Sequence, residues 1–280
     1  MKYSSKFLSS TLIAVGALGL LLSFLGKYSD LGDYKSAAPR SWEMFDQQLV
    51  NDTPDFNSLQ KKLVFLTNQP TNQPTNQLMS EQEKMLIAYN LVANRFTHTD
   101  QAKYTVFSNW VLWLMGKVYT PFAYIRDPEI LVAEGHSSLC SEQAYLLQTL
   151  AESVGIRTRS VGLNGHVVME AWYDNDWHLF DLDMEVVPLL GSKRILSLDE
   201  LARSPGLIRQ FYTGRGDEEY VNSIVKIIAT REDNSFVLYW MVKKHLAYRV
   251  EQLANIMKWI FPSILLLLGL GLYFKKRREV

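Results

Sequence analysis

The stretch CSEQAYLLQTLAESVGIRTRSVGLNGHVVMEAWYDNDWHLFDLD, residues 140–183, decides the fold. In its first third, Ala144, Leu147, Leu150, Ala151 and Val154 recur at helical spacing. Ser137 or Ser138 is placed to cap the start of that helix, and Gly155 to end it. Three strand-like runs follow: Arg157 to Leu163, His166 to Tyr173 and Trp177 to Leu182. Asn164-Gly165 is a hairpin signal, and Asp174-Asn175-Asp176 marks a second tight turn. A helix followed by an antiparallel meander is an α+β arrangement.

The same stretch holds the residues with chemical potential. Cys140 is the single cysteine of the 280-residue chain, so neither an internal disulfide nor a CxxC pair is available to it. It is a small inert core residue or a reactive thiol. The first turn of a helix favours the thiolate, because the positive end of the helix dipole faces it. A nucleophile also needs a base and a group that orients the base. His166 opens the middle strand and Asp181 lies near the end of the next. One strand, a tight turn and a return strand bring these two positions side by side.

Outward from this core, both ends of the sequence are apolar. Residues 7–26, FLSSTLIAVGALGLLLSFLG, carry no charge and measure roughly 30 Å as a helix, enough to cross a bilayer core. Lys2 and Lys6 precede them; Lys27 and the absence of a small-x-small cleavage pattern favour an anchor over a removed signal. Residues 259–274, WIFPSILLLLGLGLYF, form a shorter run of roughly 24 Å. It extends through Ile256 and Met257 if Lys258 snorkels, with Trp259 and Tyr273 as interfacial aromatics. Lys275, Lys276, Arg277 and Arg278 follow it. The positive-inside bias then puts both termini in the cytoplasm and residues 27–258 outside, in a two-pass cytoplasmic (inner) membrane protein with a periplasmic or outer domain. One cysteine suits such an oxidising compartment.

Between the spans, Trp42 to Val50 reads as an amphipathic helix through Trp42, Phe45 and Leu49. Residues 68–77, NQPTNQPTNQ, read as a linker or exposed loop. Ser80 and Glu83 form a capping box for a helix to about Arg95. The aromatic run 105–125 is expected to be a core helix rather than one lying on the membrane surface. From Tyr220 onward the chain reads helical again, and Leu246, Val250, Leu253 and Met257 lead into the second span. The divisions are a tail (1–6), a span (7–26), a helical segment with the NQPT linker (27–79), a domain (80–235), a helix leading to the membrane (236–258), a span (259–274) and a basic tail (275–280).

The composition excludes several classes. Twenty-nine basic residues balance 29 acidic ones, which argues against a nucleic-acid partner. Hydrophobic residues at 48% and aromatics at 12% exclude a disordered chain. No GxxxxGK[ST] or GxGxxG motif indicates a nucleotide. Asp174, Asp176, Asp181, Asp183 and Glu185 are oxygen-rich, but they lack the spacing and glycine of an EF-hand and read as a turn with flanking acids. No metal and no cofactor is expected.

The region from about Asp127 to Asp183 resembles the core of the transglutaminase-like superfamily. The matching pieces are CSEQA (140–144), LLQTLAESVGIRTRSVGL (146–163), HVVME (166–170) and WHLFD (177–181). The resemblance implies a papain-like α+β core with the cysteine helix packed on an antiparallel sheet. It implies Cys140 as nucleophile, His166 as general base and acid, and Asp181 as the orienting carboxylate. Asp183, two residues on and on the same strand face, is the rival for the third place; the spacing from Trp177 favours Asp181. Ser138 stands where the family often has glycine, and Val168 where it often has tryptophan. His136 reads as an exposed loop residue.

The activity implied is acyl transfer or hydrolysis at peptide or protein amides through a thioester. Two other classes stay open: a non-catalytic scaffold or binding subunit of an envelope or exopolysaccharide assembly, with membrane partners, and a structural membrane protein whose Cys140 is inert.

Overall fold

The computed structural model describes residues 2–34, 36–69, 79–99, 103–191, 194–230 and 238–278. In chain order the elements are α1 (Lys2–Tyr28), α2 (Gln47–Asp52), α3 (Phe56–Thr67), α4 (Glu81–Ala93), β1 (Thr97–His98), α5 (Val106–Val118), α6 (Pro128–Glu134), β2 (Ser137–Ser138), α7 (Cys140–Ser153), β3 (Arg157–Leu163), β4 (His166–Tyr173), β5 (Asp176–Phe180), β6 (Leu189–Leu190), β7 (Arg194–Ile195), α8 (Leu198–Ala202), α9 (Pro205–Tyr212), α10 (Glu218–Thr230) and α11 (Leu238–Arg278). Helix and sheet are mixed, as the sequence predicts. From residue 70 on the NQPT repeat lies outside the described residues, as does the 235/236 boundary.

The chain divides into two compact units. One comprises Met1–Tyr34, Lys103–Asp127 and Leu246–Val280; the other comprises Lys35–Ala102 and Pro128–His245. The sequence boundaries kept 103–127 inside the 80–235 domain and 35–69 outside it; the contacts group both the other way.

In the second unit the sheet order is β3-β4-β5, all antiparallel. Leu163 pairs with His166 across the Asn164-Gly165 turn, and Gly165 takes the left-handed conformation that turn requires. Asp174 and Asn175 take positive φ in the second turn, as residue types that tolerate it. Alternation then sorts the side chains. Val161, Leu163, Val168 and Leu179 pack with Leu201, Ile208, Ile224 and Ile228 of α8–α10 in one apolar cluster. Ser160 turns to the other face, where its hydroxyl donates to Gln148 of α7 at 2.8 Å. The sheet is therefore buried on both faces, which its near-continuous buried pattern already reflects. Each fully buried Leu or Ile of that cluster contributes about 1.5–3 kcal/mol.

Three local readings need correction. Trp42 and Phe45 precede α2, which starts only at Gln47: Asp46 caps it, its carboxylate accepting from the Gln48 and Leu49 N–H groups. Neither Ser137 nor Ser138 caps α7. The N-cap is Leu139, and its N–H donates to Glu142 at 2.9 Å. Strand β5 ends at Phe180, not Leu182. Asp181 makes an isolated bridge to Val186, and the chain turns between them with Glu185 at φ 47°.

Among the described residues two helices are long and apolar enough to cross a membrane, Phe7–Tyr28 and Tyr248–Lys275, and both lie in the first unit. The second apolar helix is longer than 259–274 and takes in Glu251 and Lys258, each of which has partners inside the unit. Glu251 accepts the N–H groups of Arg126 and Asp127, and Lys258 Nζ donates to the Ser108 carbonyl. Pro262 lies within α11 without ending it. Proline has no N–H for the carbonyl four residues back. That carbonyl belongs to Lys258, and it accepts instead from Ser23 Oγ at 2.9 Å and Trp110 Nε1 at 3.3 Å.

Helix α5 belongs to the first unit and buries Ser108, Asn109 and Leu112. It packs on α1, and Leu114 and Val118 are exposed. A Cβ on Gly26 would come within 1.8 Å of the Phe107 carbonyl oxygen, and one on Gly16 within 2.6 Å of that of Pro262. Small residues thus let these helices approach to backbone contact.

Candidate active site

Helices, strands and loops of the second unit converge on one cleft. Cys140 is the first residue of α7, half-buried, with its N–H among the donors that a helix start leaves without an intrahelical partner. His166 is the first residue of β4, and Asp181 follows β5 on the same sheet face. The meander brings them together as the strand lengths require: His166 Nε2 lies 2.8 Å from Asp181 Oδ2. Asp181 is fixed from three further sides. Tyr212 of α9 donates to Oδ2 at 2.9 Å, the Met184 N–H donates to Oδ1 at 3.2 Å, and Tyr89 of α4 donates to its carbonyl at 3.2 Å. Burial, then the Asp181 charge, push the Tyr212 hydroxyl well above its usual value, so it stays a donor.

With Nε2 occupied, Nδ1 is the nitrogen left for the thiol. Cys140, His166 and Asp183 each present one donor atom, all within 4.8 Å of one another. Burial opposes a charge on His166. The Asp181 charge and hydrogen bond, then Cys140, outweigh it and hold the imidazole well above the usual histidine range.

The structure separates the two rival carboxylates. Because the chain turns after Phe180, Asp183 does not share the sheet face with Asp181. It reaches the opposite side of the ring, with Oδ2 3.7 Å from His166 Nδ1. Arg40 Nη1 lies 3.2 Å from Asp183 Oδ1, and His98 Nδ1 also lies against Oδ1. Burial raises Asp183. The His98 hydrogen bond, with the His166, His98 and Arg40 charges, outweighs that and holds it below the usual carboxylate range. His98 is placed by β1, which pairs in parallel with β2 so that His98 stands opposite Ser138, two residues before the cysteine.

The cleft above these groups measures about 680 Å³ and is bordered by Arg40, Trp42 and Tyr220 and by a loop in which Gly214 and Gly216 have positive φ. Arg215 in that loop donates to the Trp42 carbonyl at 3.2 Å.

Sequence reasoning missed Arg40, His98 and Tyr212. None sits in a motif or at a telling spacing from 140–183, and only the tertiary fold brings them in. The other residues behind the resemblance have structural partners. Glu170 accepts from Arg159 Nε at 2.7 Å and from the Leu198 N–H at 2.8 Å, Trp177 packs edge-on against Trp172, and Ala144 is buried in α7. His136 is exposed. Of the five acidic residues weighed for calcium, Asp181 and Asp183 lie against His166, Asp174 and Asp176 belong to the β4–β5 turn and the start of β5, and Glu185 accepts from the Met44 N–H.

No protein-family model matches the chain, and no curated protein matches it.

Proposed function

We propose that this chain is a membrane-anchored thiol acyltransferase or hydrolase acting on peptide or protein amides, with a transglutaminase-like, papain-like core. Cys140 is the nucleophile, His166 the proton carrier and Asp181 the orienting carboxylate. The two apolar helices anchor it, with both termini cytoplasmic and the cleft-bearing unit outside, as the flanking lysines and arginines favour. The observation that carries the reading is the buried Asp181–His166 hydrogen bond, with the other face of the ring turned to a thiol at a helix N-terminus.

The chemistry follows from that order. The Cys140 thiolate adds to the amide carbonyl carbon, and the carbonyl electron pair moves to oxygen. The Cys140 N–H at the start of α7 is a donor for that oxyanion. His166 passes its Nδ1 proton to the amide nitrogen as the C–N bond breaks, leaving a thioester and a free amine. Water or an acceptor amine then adds to the thioester, giving up a proton to His166, and the thiolate departs. Water makes the protein a hydrolase, an amine a transferase.

The test is the rate of alkylation of Cys140, the only thiol, against pH in the full chain and in His166→Ala. Fast alkylation that persists to acidic pH and is lost in the variant supports a thiolate–imidazolium pair. Slow alkylation indifferent to His166 overturns it and returns the chain to the scaffold class.

A further inference from the structure

The thiol mechanism has no use for Asp183. It needs one carboxylate, at Nε2, and Asp181 supplies that. A second carboxylate on the thiol's side of the ring adds negative charge beside a nucleophile that is itself to be negative. Yet the fold holds Asp183 there deliberately, buried, with Arg40 and His98 on its outer oxygen and Oδ2 left toward the ring.

We propose that Cys140, His166 and Asp183 form a zinc-binding site that caps the thiol. The donor set is one sulfur, one imidazole nitrogen and one carboxylate oxygen, which suits zinc and not the harder calcium or magnesium. Zinc–ligand lengths of about 2.3 Å to sulfur and about 2.0–2.2 Å to nitrogen and oxygen place tetrahedral donor atoms roughly 3.4–3.6 Å apart. His166 Nδ1 and Asp183 Oδ2 are already 3.7 Å apart. No pair of donor atoms in the group exceeds 4.8 Å, so the three ligands are already gathered around one point, and binding would draw them closer.

The surroundings are those of a built site. A metal-bound histidine has its other nitrogen on a carboxylate, and Asp181 is there. A metal-bound carboxylate is itself held, and Arg40 and His98 hold it. The fourth position faces the cleft. Binding exchanges one proton: His166 releases its Nδ1 proton to solvent, and Nδ1 and the thiolate become ligands. With the thiolate committed to the metal, attack on an amide stops until the metal is withdrawn. That consequence rests on the thiol reading above; the site itself rests on the three ligands.

The probe is cobalt(II) titrated into the full chain in detergent, followed by zinc competition. The expected result is a sulfur-to-cobalt charge-transfer band that saturates at one equivalent, is displaced by zinc, is lost in Cys140→Ala and weakens at least tenfold in affinity in Asp183→Asn. No band, or equal affinity in Asp183→Asn, overturns the proposal. If Asp183→Asn loses its fold by circular dichroism, X-ray absorption on the zinc-loaded wild type decides instead: one sulfur at about 2.3 Å with nitrogen and oxygen at about 2.0–2.2 Å supports the site, and an all-oxygen shell overturns it.

Alkylation of Cys140 with chelator and with zinc separates the two ideas. A thiol that reacts fast in chelator but is not protected by zinc leaves the thiol reading standing and removes the metal site. A thiol sluggish in chelator that still gives the cobalt band removes the thiol reading and leaves the metal site.

Discussion

The anchor unit and the sheet unit both bury polar side chains, to different ends. In the anchor unit they serve the backbone: Ser23 and Trp110 donate to the carbonyl that Pro262 leaves without its helical donor, and Glu251 accepts two main-chain N–H groups. In the sheet unit they serve one another: Asp181, His166, Asp183, His98 and Arg40 form a chain of titratable groups that ends at a thiol and an open cleft. A backbone carbonyl left without a donor is costly in an apolar setting, and the first pattern follows from the carbonyl that Pro262 leaves inside a continuous helix. Nothing in folding requires the second, and buried charge normally disfavours it. The contrast is the reason to look for chemistry in one unit and for packing in the other.

The largest expected effects test that contrast at the thiol. Cys140→Ala should abolish turnover of any amide substrate while shifting the thermal midpoint little, since a half-buried first-turn residue is lost to a good helix former. Normal turnover would end the nucleophile assignment. Asp181→Asn should slow turnover by about 10²–10⁴-fold, as expected when a general base loses its orienting charge. A rate within a few-fold of wild type would reduce Asp181 to a packing residue and blur the contrast between the units.

Next in size is Tyr212→Phe, which removes a donor from a buried carboxylate. A hydrogen bond to a charged group is worth about 1.5–3 kcal/mol, so denaturant unfolding of the solubilised chain should show a loss in that range. No loss would mean that the Asp181 carboxylate is held by His166 and the Met184 N–H without need of Tyr212.

The pH dependence of stability has a definite sign. The imidazole of His166 is favoured in its charged form in the fold. Its contribution is complete below the free histidine value of about 6.5 and is lost as pH rises through the higher folded value. The stability difference between wild type and His166→Gln should therefore shrink toward alkaline pH. A difference that grows instead would mean that the buried ring is neutral.

The two units also differ in how much of them the sequence discloses. His166 and Asp181 were readable because two-residue turns and strand lengths fix cross-strand neighbours without any knowledge of the rest of the fold. Asp183 was misplaced for a local reason. Period-two reasoning carries it onto the face of Asp181 only if the strand continues, and the strand stops at Phe180. The stop is a turn closed by Glu185 at positive φ, and glutamate gives no warning of that. Arg40 and His98 come from segments whose only link to the site is tertiary. The terminal apolar runs were legible, but not that Glu251, just ahead of the second, accepts two main-chain N–H groups from a segment distant in sequence.

The smallest effect sharpens the anchor side of the comparison. If Ser23 is retained to satisfy the Lys258 carbonyl, its value depends on Pro262. Hydrogen bonds between membrane helices measure about 0.6 kcal/mol on average, because the separated helices also find partners, so Ser23→Ala alone should cost that order. Pro262→Ala restores an N–H four residues beyond Lys258 and closes the helical bond from within. In that background the serine has less to do, and Ser23→Ala should cost measurably less. A double-mutant cycle on detergent unfolding reads the difference directly. A coupling energy of zero would mean that Ser23 matters only as a small residue in the helix contact, and that Trp110 alone meets the carbonyl.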